Sequence, residues 1–190
     1  KHPNGRHIVS AAGIIGAPAV LYPRIWLIIW VIDQELAIRM IPSIVFIMLV
    51  SFGIAYLIQR KGGDGVVEDI PTQNPLNFAV SIQFAVLYMA VLWLMDLASA
   101  GNSVEGFYAT SVVFGATNMD VITLSLARST EDVGILMALT AILLATLSNT
   151  VMKFVIVLIF GNKVLVKWTG LGFGVIFLAT VLAMWVMRWF

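Results

Sequence analysis

The chain has 190 residues, 61% of them hydrophobic and only 11% charged, with a formal net charge of +1 and a mean hydropathy of +1.00. That is far from the roughly 45–50% apolar and 25% charged mixture of soluble domains, so the chain belongs in a membrane. A net charge near zero without a basic stripe excludes nucleic acid as a partner. The absence of cysteine excludes disulfides, thiolate metal sites and cysteine nucleophiles.

Six apolar stretches, 8–32, 38–59, 75–98, 105–127, 133–160 and 165–189, are each long enough for a tilted helix across a roughly 30 Å hydrocarbon core. The expectation is an all-α polytopic bundle of six transmembrane helices forming one domain over 1–190, since open backbone cannot face lipid. The first stretch carries Pro18 and Pro23, each removing a backbone donor, and predicts a helix kinked or broken there. Its length rules out a signal peptide, whose apolar region is only about 7–15 residues. The second stretch has little polar content and reads as scaffold. A cytoplasmic linker, 60–73, follows it; its glycines lack the context of a phosphate loop. Asn74 and Pro75 then open the third helix as cap and first-turn residue.

Lysine and arginine in the loops set the expected orientation. Lys1, Arg6, Arg60, Lys61, Arg128 and Arg188 fall on one side and Arg39, Lys163 and Lys167 on the other, placing both termini in the cytoplasm. Aromatic belts are expected to follow, with Trp26, Trp30, Trp93, Tyr108 and Trp168 at one interface and Tyr56, Trp185 and Trp189 at the other.

Gly115 to Arg128, GATNMDVITLSLAR, sets an acid inside the fourth span. A carboxylate at mid-membrane costs roughly 2.5–3.5 kcal/mol on insertion scales, so Asp120 marks a functional site. Thr117, Asp120 and Thr123 share one helical face and Ser111, Asn118 and Ser125 nearly the opposite one, which predicts a central helix. In the fifth span Thr146, Asn149, Thr150 and Lys153 line one face; plain helix–helix hydrogen bonding, with Lys153 snorkelling outward, explains them equally.

Counting depth along straight spanning helices puts Asp120 level with Gln83 of the third helix and Thr140 of the fifth, and Arg24, Asp96 and Lys153 in a second layer nearer the outer face. The outer layer reads as structural charge pairing of Asp96 with Arg24 or Lys153. The inner layer leaves Asp120 with no basic side chain at its depth. Such a carboxylate is protonated against a neighbouring helix, or it is partnered by water or a cation; its oxygen-rich neighbours suit hard cations.

These motifs carry a resemblance. NPLNFAVSIQF, then GATNMDVITLSLAR, then LLATLSNTVMK are similar to the bacterial membrane domain of unknown function numbered 4010 in its series, found as the C-terminal half of MgtC/SapB-type proteins, whose pattern runs close to ADVDAITLSLA and then ALSNTLVK. The second Asp of that pattern falls on Asp120, while its first is Asn118 here, so a two-carboxylate cation site is not carried over. The resemblance brings no activity; it implies a bacterial inner-membrane protein connected with ion homeostasis and a further N-terminal membrane half, and a homo-oligomer is the other partner expected besides the lipid bilayer.

The resulting expectation is an ion or small-solute transporter or channel-like protein whose pathway is lined by Asp120, Asn118, Thr117, Thr123, Gln83, Asn149, Thr146 and Lys153, moving a cation or a proton. The competing reading is a regulatory or assembly protein acting through helix contacts. No enzyme is expected, since Cys is absent and the two histidines, His2 and His7, lie at the N-terminus. No cofactor is expected, and the sequence does not identify a metal.

Overall fold

The computed structural model describes residues 5–62, 85–86, 88–90, 93 and 104–187. These form α1 (Gly5–Ile32), α2 (Gln34–Gly62), α3 (Val104–Thr117), α4 (Met119–Arg128), α5 (Thr130–Val133), α6 (Ile135–Phe160) and α7 (Lys163–Met187). No strand occurs among the described residues. Four helices, α1, α2, α6 and α7, are long and apolar enough to cross a membrane. Most of the expected third span, of which 85–86, 88–90 and 93 are described as helical, and most of the linker lie outside the described residues, and with them Gln83 and Asp96.

Pro18 and Pro23 both sit inside α1, which runs uninterrupted; the helix is not broken at either, as membrane helices tolerate proline where neighbours satisfy the freed carbonyl. One residue reverses the chain into α2. Asp33 caps it, its Oδ1 accepting from the Leu36 N–H at 2.9 Å. The Trp26 Nε1–H donates to the Ala37 carbonyl at 3.1 Å and ties the two helices together beside the turn.

Helix directions follow from contacts. Ser43 meets the Met187 sulfur at 3.0 Å, and the Lys61 ammonium lies 5.2 Å from the Trp168 ring centroid, so α2 and α7 are antiparallel. Because α1 and α2 form a hairpin, α1 and α7 run the same way, and Gly5 and Met187 lie at opposite ends of the bundle. The two-residue turn at Gly161 and Asn162 makes α6 antiparallel to α7, with the Phe154 and Phe173 rings 6.4 Å apart. Six crossings would instead have the first described helix start and the last one stop at the same end.

The reason lies in the predicted fourth span. Tyr108 lines a cavity of about 450 Å³ with Val133 to Met137 and Thr140, whereas Gly115 abuts Ala145 and its carbonyl accepts from Asn149. Moving forward along α3 thus moves forward along α6, and the two are parallel. After the single residue Asn118 the chain returns through α4, and the short α5 delivers it to the start of α6. So α4 runs against α6, and α3 with α4 is a re-entrant hairpin that enters and leaves at the Asp33 end. What hydropathy counted as one crossing is an in-and-out excursion. Seven of the ten residues of α4 are buried, which places this arm at the centre, as its two polar faces require.

Charge separates along the bundle. Arg60, Lys61, Lys163 and Lys167 lie at the Lys61 end. Asp33, Glu35, Glu105, Glu131 and Asp132 lie at the other, with Arg39 and Arg128. The loop count had grouped Arg39 with Lys163 and Lys167, and Arg128 with Lys61; the hairpin and the direction of α7 exchange them. Trp168 likewise joins Tyr56 at the Lys61 end and Trp185 moves to the Asp33 end, reversing their predicted belts.

Candidate functional site

The tip of the hairpin lies beside Ala145 to Asn149, roughly 15–20 Å along α6 from its first residue at 1.5 Å per residue and hence near mid-depth. Two helix ends meet there, and helix ends leave backbone groups without intrahelical partners. Asn118 adopts an extended backbone (φ −147°, ψ 103°), and its Oδ1 accepts from the N–H groups of Asp120 at 3.1 Å and Val121 at 3.3 Å, capping α4. The end of α3 is closed from α6. Asn149 Nδ2 donates to the Gly115 carbonyl at 3.1 Å, and Ser148 Oγ donates to the Val112 carbonyl at 2.6 Å. Gly115 permits this approach, since a Cβ there would stand 2.6 Å from the Ala145 Cα and carbonyl oxygen.

The hydroxyls turn inward to their own helices. Thr117 donates to the Phe114 carbonyl, Thr123 to Met119, Ser125 to Val121, Thr146 to Ile142 and Thr150 to Thr146, at 2.7–3.0 Å. Their protons are committed, and what the buried Thr123, Ser125, Thr146 and Thr150 offer the interior is acceptor lone pairs, whereas Thr117 is exposed. Thr140, expected beside Asp120, instead lines the cavity near the start of α6.

Asp120, in the first turn of α4, is paired through Oδ2 with the Arg24 guanidinium of α1. Its side chain is 18% exposed and that of Arg24 64%. Its other oxygen, Oδ1, is buried with no hydrogen-bond partner among the described residues. The expectation of no basic side chain at its depth is therefore wrong, as is the placing of Arg24 in a separate outer layer. Counted on a crossing helix, Asp120 and Arg24 fall in different layers. In the hairpin Asp120 lies eight residues before Arg128 and Arg24 eight before Ile32, both roughly 12 Å from the same end.

The structure thus brings Asn118, Thr117 and Asp120 together with Asn149 at the tip. Thr123 lies one turn further along α4, buried, and Thr146 is buried on α6. Lys153 lies one turn beyond Asn149 toward the Lys61 end, half-buried, and forms no ion pair with Asp120. Sequence reasoning placed Gly115 and Ser148 within the two motifs but assigned neither a contact. Their signal was a glycine three residues before a helix-capping Asn, matched by a Ser-Asn pair on a neighbouring span. Among the described residues no group of three or more His, Cys, Asp or Glu could hold a metal ion.

Comparison with known proteins gives a family and no activity. The family described as "Domain of unknown function (DUF4010)" matches residues 1–161. An "Uncharacterized protein" of Aquifex aeolicus (strain VF5) is 27% identical over 131 residues, which cover 68% of this chain and 56% of that protein. The chain therefore spans little more than half the length of this curated relative. No solved structure matches.

Proposed function

Since the chain belongs to the family described as "Domain of unknown function (DUF4010)", a membership that leaves activity open, we propose from its geometry that it is an ion or small-solute transporter or channel-like protein of the bacterial inner membrane. The α3–α4 hairpin is the core of the pathway and Asp120 its charge-bearing residue. The observation that carries this reading is the buried, unpartnered Oδ1 of Asp120 beside a hairpin tip at mid-depth. Buried acceptors in native proteins are satisfied, so an orphan here points to water, a proton or a cation. Broken backbone at membrane depth is tolerated where it lines a cavity, and half-helix ends at the midplane are how transporters form sites.

In this reading Arg24 acts as a tethered counter-ion. It neutralises Asp120 when the site is empty and yields when a proton or cation reaches the carboxylate, so the buried carboxylate is never left without a partner. Asn118 and Thr117 offer further oxygens at the tip, and Thr123, Thr146, Asn149 and Lys153 continue the polar track through α4 and α6, with Gln83 expected from the third predicted span. By the positive-inside rule the excess of Lys and Arg at the Lys61 end supports a cytoplasmic position for that end. The amino-terminal end of α1 is then cytoplasmic, the carboxy-terminal end of α7 lies outside, and the hairpin enters from the outer face. The five carboxylates of that face raise the local cation concentration. No enzymatic role is assigned.

The test is flux. Liposomes holding the purified chain should show proton or cation movement that Asp120→Asn abolishes or strongly reduces; no movement, or movement unchanged by the substitution, refutes the proposal.

One observation favours the regulatory or assembly alternative. Asn118, Asn149 and Ser148 are all used to join α3, α4 and α6, and the Thr hydroxyls bond to their own helices. A polar interior that closes on itself suits a protein working through helix contacts, and the MgtC/SapB-type association implied by the sequence would fit that role. Absent flux together with loss of folding in Asn149→Ala favours this alternative.

A further inference from the structure

The Lys61 end of the bundle brings together cations from positions a hundred residues apart. Arg60 and Lys61 close α2, and Lys163 and Lys167 occupy the first two turns of α7. All four are exposed, and none is ion-paired among the described residues. Among the described residues the carboxylates other than Asp120 all lie at the opposite end.

The fold holds these charges together despite their repulsion. Lys61 is drawn across to α7 by the Trp168 ring, its ammonium 5.2 Å from the centroid, which sets it beside Lys167 in sequence order. Arg60 is held back against Tyr56, its guanidinium 5.2 Å from that ring. Lys163 and Lys167, four apart, share one face of α7. Aromatic rings that stand at the headgroup level of a bilayer thus fix the height of the cations as well as their position.

We propose that this cluster is a binding site for the headgroup of an anionic phospholipid in the leaflet it faces, formed by the last turn of α2 and the first two turns of α7. Like charges gathered at interface depth, with no carboxylate beside them among the described residues, are stabilised by a phosphodiester anion, and clusters of Lys and Arg beside membrane helices recognise such lipids. The choice of a lipid over a soluble phosphate rests on the rings, which place the ammonium groups where lipid phosphates already lie. The site shares no residue with the hairpin and does not depend on the transport reading.

The experiment uses the full chain in neutral detergent, with lipid retention followed by native mass spectrometry and thermal unfolding by tryptophan fluorescence. Phosphatidylglycerol should be retained and should raise the unfolding temperature more than phosphatidylcholine. Inorganic phosphate and glycerol 3-phosphate at the same concentration should do neither. Lys61→Gln, Lys163→Gln and Lys167→Gln should each weaken retention about fivefold, whereas Arg39→Gln at the far end leaves it unchanged. Equal retention of phosphatidylcholine, full retention by the triple variant, or the same stabilisation by phosphate alone overturns the proposal. Should the triple variant fail to fold, a salt titration of the parent decides. Retention that falls steeply with ionic strength supports the site, and retention independent of salt refutes it.

Discussion

Replacing Gly115 by alanine tests the hairpin at its closest contact. The added Cβ would stand 2.6 Å from the Ala145 Cα, 2.6 Å from its carbonyl oxygen and 2.8 Å from its Cβ. Ordinary carbon contacts lie near 3.5–4.0 Å, so α3 and α6 must part by about 1 Å, and no flexible side chain can give way instead. Parting stretches the Asn149–Gly115 and Ser148–Val112 hydrogen bonds, now 3.1 and 2.6 Å. Overpacking costs about 1–3 kcal/mol, and each bond lost adds about 0.5–1.5 kcal/mol. The expected loss is on the order of 2–5 kcal/mol, read as a lowered midpoint in denaturant unfolding of the detergent-solubilised chain. Gly53→Ala is the comparator, since a Cβ there meets nothing within 4 Å, and it should be neutral or slightly stabilising. Ala145→Gly should not rescue the variant, because two of the three contacts are with backbone. Equal midpoints for Gly115→Ala and Gly53→Ala would refute the close approach and the register of α3 on α6.

The absence of cysteine gives single-cysteine labelling no background. Glu105→Cys and Glu131→Cys should react with an impermeant thiol reagent from the same side of a vesicle and Asn162→Cys from the other, whereas a crossing fourth span would separate 105 from 131. Asn118→Ala removes the cap of α4 and should cost about 1 kcal/mol in unfolding free energy, with Asn118→Asp or Asn118→Ser recovering most of it; an undisturbed midpoint in the alanine variant sinks the assignment. Arg24→Gln should destabilise the chain more when Asp120 is present than in an Asp120→Asn background, with a coupling of about 0.5–3 kcal/mol in the double-mutant cycle; strictly additive effects would deny the pair. Gly134 holds φ 86° and ψ 152° with open space around its Cα, so Gly134→Ala should cost about 1–3 kcal/mol through backbone strain alone, measured in the same unfolding assay.

Composition and hydropathy suffice for a membrane protein made of helices, because lipid leaves unpaired backbone no alternative. The four helices long and apolar enough to cross a membrane are legible from apolar run length. So is the centrality of Asp120's helix, since a segment polar on two faces cannot sit against lipid. Direction is not legible. Twenty-five mostly apolar residues read the same whether they cross once or go in and come back, and the difference rests on one residue, Asn118, whose side chain caps a new helix as readily as it decorates an old one. Every depth inherited that choice: a crossing helix separates Asp120 from Arg24, a hairpin brings them level. The end of the bundle at which α7 stops follows from the same choice. Asp120 could be singled out from its chemistry, because a buried carboxylate is costly anywhere in a bilayer, but its partner could be found only where tertiary contacts, Gly115 on Ala145 and Tyr108 beside the start of α6, fix which way the chain turns.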